Sequence, residues 1–233
     1  SEPDADLVWG SYGLDQCLDL ARDALARGNG VAAPEGWLVG EGMAVAMIAT
    51  MAPFGHISHV TLDLTPDGRY RVGIGTAEFG NGTTTVHTQI VATDLGTTPD
   101  RVVLHHADTD AARHDTGAFA SAGITVAGKA LHAAALALAR VLRETASSLT
   151  GTPIEECALT PDGVRAGRLV GFAEIIAAAP PERRHGDGLR TDGSELGEQR
   201  SLAFNVHAFR VAVRPETGEV RILQSVQAAD AGT

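Results

Sequence analysis

The chain has 233 residues, 44% of them hydrophobic, enough to bury a core as one large domain or two small ones. A formal net charge of −11 argues against a nucleic-acid or anionic-membrane surface, which needs basic patches. The longest purely apolar runs, near residues 44–49 and 133–139, are too short to span a bilayer. Ser1-Glu2-Pro3-Asp4 carries no signal peptide, and Cys17 and Cys157 have neither metal nor redox spacing. Buried free thiols in a soluble, cytoplasmic protein are expected.

Leu14, Leu18, Ala21 and Leu25 recur at helical spacing, and Gly28-Asn29-Gly30 stops that helix. Residues 31–37 read as a linker. Residues 38–51 are continuously apolar after their glycines, which predicts a strand covered on both faces. Val60, Leu62 and Leu64 alternate with polar residues, and Thr65-Pro66-Asp67-Gly68 turns the chain into a second alternating strand. Next comes a glycine-rich stretch, Gly73-Ile74-Gly75-Thr76-Ala77-Glu78-Phe79-Gly80-Asn81-Gly82-Thr83-Thr84-Thr85, and residues 86–92 after it read as a helix. Val86 and Ile90 lie opposite Val91 and Leu95 on that helix, as on a helix sandwiched between layers. Residues 101–104 read as a strand and 105–116 as a polar segment. Gly117-Ala118-Phe119-Ala120-Ser121-Ala122-Gly123 is a second small-residue loop. The helix after it carries Ile124, Ala127, Leu131, Ala134, Leu138 and Val141 on one stripe. Thr160-Pro161-Asp162-Gly163 turns between short strands, and a helix over residues 172–179 ends at Pro180-Pro181. Residues 182–201 read as a charged, glycine-rich surface loop, followed by a hairpin of residues 204–213 and 220–228. Hairpins segregated from helices imply an α+β fold. The chain stops at Asp230-Ala231-Gly232-Thr233 as a strand delivers it to a loop, which reads as a cut chain.

Four glycines between a strand and a helix suit either of two uses. They let backbone N–H groups face a phosphate or a flat heterocycle, or they supply positive φ for tight turns. A dinucleotide fingerprint fails because Glu78 stands where its third glycine belongs. Gly123-Ile124-Thr125-Val126-Ala127-Gly128-Lys129 fits a phosphate loop up to the lysine, but Ala130 replaces the required hydroxyl and the apolar stripe marks a helix. His105, His106, Asp108, Asp110, His114 and Asp115 crowd together without a reliable ligand spacing, so no metal site is assigned. Glu41 and Glu78 are candidate bases by residue type alone, and a solvated or backbone-capping carboxylate is the preferred reading of both.

Three stretches in order, residues 75–83, residues 103–110 and residues 119–123 with Ala127-Gly128-Lys129-Ala130, together resemble one family. It is the molybdenum hydroxylases, the xanthine dehydrogenase and aldehyde oxidase group, in part of the second half of their large molybdopterin-binding subunit. Tyr12-Gly13-Leu14-Asp15-Gln16-Cys17 and Pro215-Glu216-Thr217-Gly218-Glu219-Val220 fit it too. The resemblance implies an α+β molybdopterin-cofactor-binding domain with β-hairpins and mixed sheets packed against helices. Residues 1–37 would form a leading helix and linker, and 38–233 the domain itself. It implies that Phe79, Gly80, Asn81, Gly82 and Thr83 contact the pterin and the molybdenum ligands, with Asn81 where many relatives carry glutamine. Ala118, Phe119, Ala120, Ser121, Ala122, Gly123 and Ile124 would hold its phosphates, in a cytosine dinucleotide form in many bacteria. Ala122 stands where relatives often carry arginine, and Ala118, Gly123 and Ile124 where a hydroxyl is usual, so several phosphate contacts are missing. In this family an aldehyde or N-heterocycle is hydroxylated with water, and electrons leave through iron–sulfur and FAD partners. The glutamate base would lie beyond Thr233, so no catalytic residue is assigned and the isolated chain is expected to be inactive. The rival reading is a non-catalytic module that keeps the fold without the cofactor.

Overall fold

The computed structural model describes residues 12–50, 55–118, 120–197 and 200–232. Its elements are α1 (Leu14–Arg27), β1 (Leu38–Ala49), β2 (Ile57–Leu64), β3 (Tyr70–Ile74), α2 (Thr83–Asp94), β4 (Val102–His106) and α3 (Gly123–Thr150). There follow β5 (Ala158–Thr160), β6 (Gly163–Ala166), β7 (Arg168–Gly171), α4 (Phe172–Ala178), β8 (Arg184–His185), β9 (Gly188–Leu196), β10 (Leu202–Val213) and β11 (Val220–Asp230). They gather into two compact units, one of residues 1–50 with 199–233 and one of residues 51–198. The contacts therefore do not divide at residue 37.

In the first unit the antiparallel strands run in the order β1-β10-β11. The apolar face of α1 needs a sheet to cover it, and Cys17, Ala21 and Leu25 bury against Val206 and Ala208 of β10. Cys17 and Cys157 are both buried free thiols. The expectation that residues 38–51 form a strand covered on both faces is corrected. The strand forms, but β1 pairs with β10 alone among the described residues, and it is exposed along its whole length up to Ala49. Continuous apolarity identifies a strand without saying what lies over it.

The second unit is built on a five-stranded sheet of order β4-β3-β2-β9-β8, in which only β3 and β4 run parallel. β9 corrects the surface-loop reading of residues 182–201. Leu189 and Thr191 are buried, and β9 lies beside β2 from Ile57 to Leu64. Its glycines read as loop residues, yet they serve close packing. A Cβ on Gly193 would strike the Ala130 carbonyl of α3, and the Thr191 hydroxyl donates to the Ala134 carbonyl at 2.8 Å. At the matching register position Arg190 makes a two-pronged ion pair with Asp63, at 2.6 and 2.7 Å.

Helix α3 lays Ala127, Leu131, Ala134, Leu138 and Val141 into the core with Leu62, Leu64, Tyr70, Val72 and Ile74 of the sheet, as its stripe predicts, while Ile124 is exposed. By length and composition alone α3 could cross a membrane, but its apolar stripe is occupied by this sheet. Helix α2 starts earlier than its apolar residues suggest, at Thr83, and buries Thr83, His87, Val91 and Ala92. Val86 is exposed while Ile90 on the same side packs against the core, so that side of α2 is covered only in part.

Candidate functional site

The two small-residue loops leave the sheet from neighbouring strand ends. β3 ends at Ile74 and β4 at His106, and these residues are register partners in a parallel pair joined through α2. Both exits therefore lie at the carboxyl edge, where open sheets with helical crossovers hold ligands. After β4 the chain folds back across β3. Residues 114–116 take the stretch of β2 that β3 leaves unpaired, through His59 N–H to His114 O at 3.1 Å and Thr116 N–H to Ile57 O at 3.0 Å. Gly73 and Gly75 allow this crossing, since a Cβ would strike the Ala111 carbonyl at the first and the Asp115 side chain at the second. These two glycines serve the protein's own chain rather than a ligand.

Gly80 and Gly82 answer to the other requirement, with φ of +96° and +76° and open space around them. The loop turns around Glu78. Its Oε1 accepts from the N–H groups of Gly80 at 2.7 Å and Gly82 at 3.2 Å, and its Oε2 from Thr84 N–H at 2.9 Å and the Thr83 hydroxyl at 3.2 Å. The hydrogen bonds from Thr84, Gly80, Gly82 and Thr83 hold the Glu78 carboxyl at about 2, against the opposing effect of desolvation. The amides expected to face a ligand are thus already engaged, and Glu78 is a backbone-capping carboxylate rather than a base. Phe79 is 68% exposed, and Asn81 is exposed while its Oδ1 lies 3.2 Å from the Thr83 hydroxyl.

The second loop ends differently. Ala120 and Ser121 both adopt left-handed backbone, φ 55° and 54°, at a cost of about 1–2 kcal/mol each for residues with a Cβ. Ala122 then caps α3 without a side-chain acceptor, and the first intrahelical bond runs from Val126 N–H to Ala122 O at 2.9 Å. Among the described residues, Ala122 makes no side-chain cap hydrogen bond at this helix start, where the first amides lack intrahelical partners. Phe79, Asn81, Thr83, Ala118, Ser121, Ala122, Gly123 and Ile124 line one cleft of about 330 Å³, at the small end for a ligand site. Gly80, Gly82 and Ala120 shape its loops without lining it, and Phe119 lies outside the described residues.

One residue missed from the sequence is His87 of α2. It is 1% exposed, its Nε2 has no hydrogen-bond partner among the described residues, and burial pushes its imidazole down to about 4 against the pull of Asp115 and Glu78. Its i, i+4 position between Thr83 and Val91 was the available signal. The His/Asp segment borders a separate cleft of about 260 Å³, but among the described residues no three ligating groups converge. Asp108 and Asp115 instead accept from Asp110 N–H and Gly117 N–H, closing turns. Glu41 is exposed on β1. A larger groove of about 910 Å³ runs along the outer face of α3, and none of the candidate residues borders it.

A family model described as a molybdopterin cofactor-binding domain matches residues 18–233. Over 225 residues the chain is 28% identical to the probable hypoxanthine oxidase XdhD of Escherichia coli K12, covering 96% of this chain and 23% of that protein. It is 28% identical over 205 residues to the gamma subunit of the 6-hydroxypseudooxynicotine dehydrogenase complex of Paenarthrobacter nicotinovorans, covering 85% and 26%. The CO dehydrogenase structure from Oligotropha carboxidovorans matches with a TM-score of 0.69 at 20% identity, over 95% of this chain and 29% of that one. Quinoline 2-oxidoreductase from Pseudomonas putida 86 matches at 0.66 and 22% identity, over 94% and 29%. The structural likenesses establish the same mixed helix-and-sheet fold. The chain spans about a quarter of the length of the curated relatives it matches.

Proposed function

The chain belongs to the molybdopterin cofactor-binding domains, and from that membership we propose that its cleft is one part of the cofactor cradle of a molybdenum hydroxylase. The observation that carries this reading is the joint lining of one cleft by residues of both loops, at a helix start whose N-cap Ala122 makes no side-chain cap hydrogen bond among the described residues. The donor set suits the group. Amides at the start of a helix and the exposed Ser121 hydroxyl are suited to phosphate oxygens, and Phe79 with Asn81 offers a face and an amide to a flat polar heterocycle. When bound, the cofactor supplies the redox chemistry, and the protein supplies binding and orientation. Glu78 and Thr83 hold the Asn81 side of the cleft in shape, and Ser121 orients the anionic end.

The substrate class we assign is an aldehyde or N-heterocycle hydroxylated with water, the electrons leaving through iron–sulfur and FAD partners in a cytoplasmic complex. The cytosine dinucleotide form of the cofactor belongs to the same proposal. The base and the remaining cofactor contacts would come from the rest of the subunit, so this chain alone would be inactive. The test is molybdenum and pterin content of the full-length protein, wild type against Asn81→Ala and Ser121→Ala. Each variant is expected to retain less of both. Unchanged content in both variants would overturn the assignment.

A further inference from the structure

Two helices begin at the cleft, and their N-termini are treated oppositely. Among the described residues, the N-cap of α3, Ala122, makes no side-chain cap hydrogen bond. At the start of α2 every oxygen of the Glu78 carboxylate is committed, Oε1 to Gly80 and Gly82 and Oε2 to Thr84 and Thr83. The loop has wrapped its glycine backbone around an anion, and the anion is its own side chain. We propose that Glu78 is an orientation-determining residue: a built-in carboxylate that fills the anion seat at α2, so that an anionic guest can place its phosphate end only at α3. The inference rests on the cofactor-cradle reading.

The physical case is one of exclusion as much as attraction. A helix start with converging N–H groups favours negative charge, and two such starts bordering one cleft would accept a phosphate-bearing heterocycle in either direction. With Glu78 in place, a phosphate near residues 80–84 would meet a like charge and amides already bonded, which discriminates against the reversed pose. Beside that carboxylate, Phe79, 68% exposed, and the exposed Asn81 line the cleft as the neutral margin for the ring end. Asn81 is further steadied through the Thr83 hydroxyl, whose single proton is shared among Glu78, Asn81 and the Ala77 carbonyl at 3.2, 3.2 and 3.4 Å.

Amide hydrogen exchange of the full chain, with and without inorganic pyrophosphate, tests this. In the wild type, exchange in 79–84 is expected to be slow already and unaltered by pyrophosphate, while residues 122–126 are slowed by it. In Glu78→Ala, exchange in 79–84 is expected to rise at least about tenfold, because three amides lose charged acceptors. Pyrophosphate should then slow that segment, taking the vacated seat. Glu78→Gln keeps an oxygen for Gly80 and Gly82 but turns a donor toward Thr84, so it should free Thr84 while leaving the fold intact and guards against a collapsed alanine variant. Pyrophosphate slowing 79–84 in the wild type, or failing to slow it in both variants, overturns the proposal. Pyrophosphate acting on 79–84 of Glu78→Ala but never on 122–126 overturns the cofactor-cradle reading and the orientation claim with it, and shows only that Glu78 fills an anion seat at α2.

Discussion

At the scale of single residues the two groups that matter most electrostatically have opposite relations to water. Glu78 is stabilised as a charge by donors around it, and His87 is held neutral by burial. The imidazole titrates at about 4 in the folded chain against 6.5 in the ordinary state. Between those values the unfolded chain binds the extra proton, so stability is full above about pH 6.5 and falls as pH drops, by up to about 3 kcal/mol. His87→Phe should remove that slope and cost little near neutrality, because Nε2 has no hydrogen-bond partner among the described residues. Urea midpoints from about pH 7 to about pH 4 measure it, and an undiminished slope would rule His87 out. Glu78 acts lower, its contribution fading as pH falls from 4.5 toward about 2. The sequence made Asn81 and Ser121 legible through their motifs. It did not reveal what Glu78 does, because the carboxylate reaches Gly80, Gly82 and Thr84 only once the loop has curled, and no fixed spacing announces that curl.

Among elements, periodicity located α1, α3 and the closing hairpin, whose apolar residues repeat cleanly, and the Pro-Asp-Gly turns fixed the small β5-β6 hairpin. It failed at β9, where Gly188 and Gly193 mimic a loop. Both are glycine because another backbone lies against them, Leu64 at the first and Ala130 at the second. Gly193→Ala should accordingly push α3 away from the sheet and cost about 1–3 kcal/mol by overpacking. Thermal or urea unfolding reads this directly, and a variant as stable as wild type would show that α3 can slide. Helix α2 was foreshortened in the sequence because its first turn is all threonine, held by Thr84 N–H on Glu78 instead of by apolar burial.

For the whole molecule, the outlying feature is β1. It carries Met43, Val45, Met47 and Ile48 exposed at 41% to 61%, on a strand that among the described residues pairs along one edge. An apolar strand with an open edge is a self-association hazard. The double variant Val45→Thr/Met47→Lys should change folding stability by less than about 0.5 kcal/mol while reducing concentration-dependent scattering. A large loss of stability would mean that these side chains are packed. The candidate site was legible as two loops, and the resemblance implied that they serve one cofactor; what brings them together was not legible, since adjacency comes from the parallel pairing of β3 with β4 across a helical crossover. That pairing, with residues 111–115 bedded on the bare backbone of Gly73 and Gly75, gives both margins of the cleft a common foundation. The gap between them is set by the sheet before any guest arrives, so little ordering entropy remains to be lost on docking.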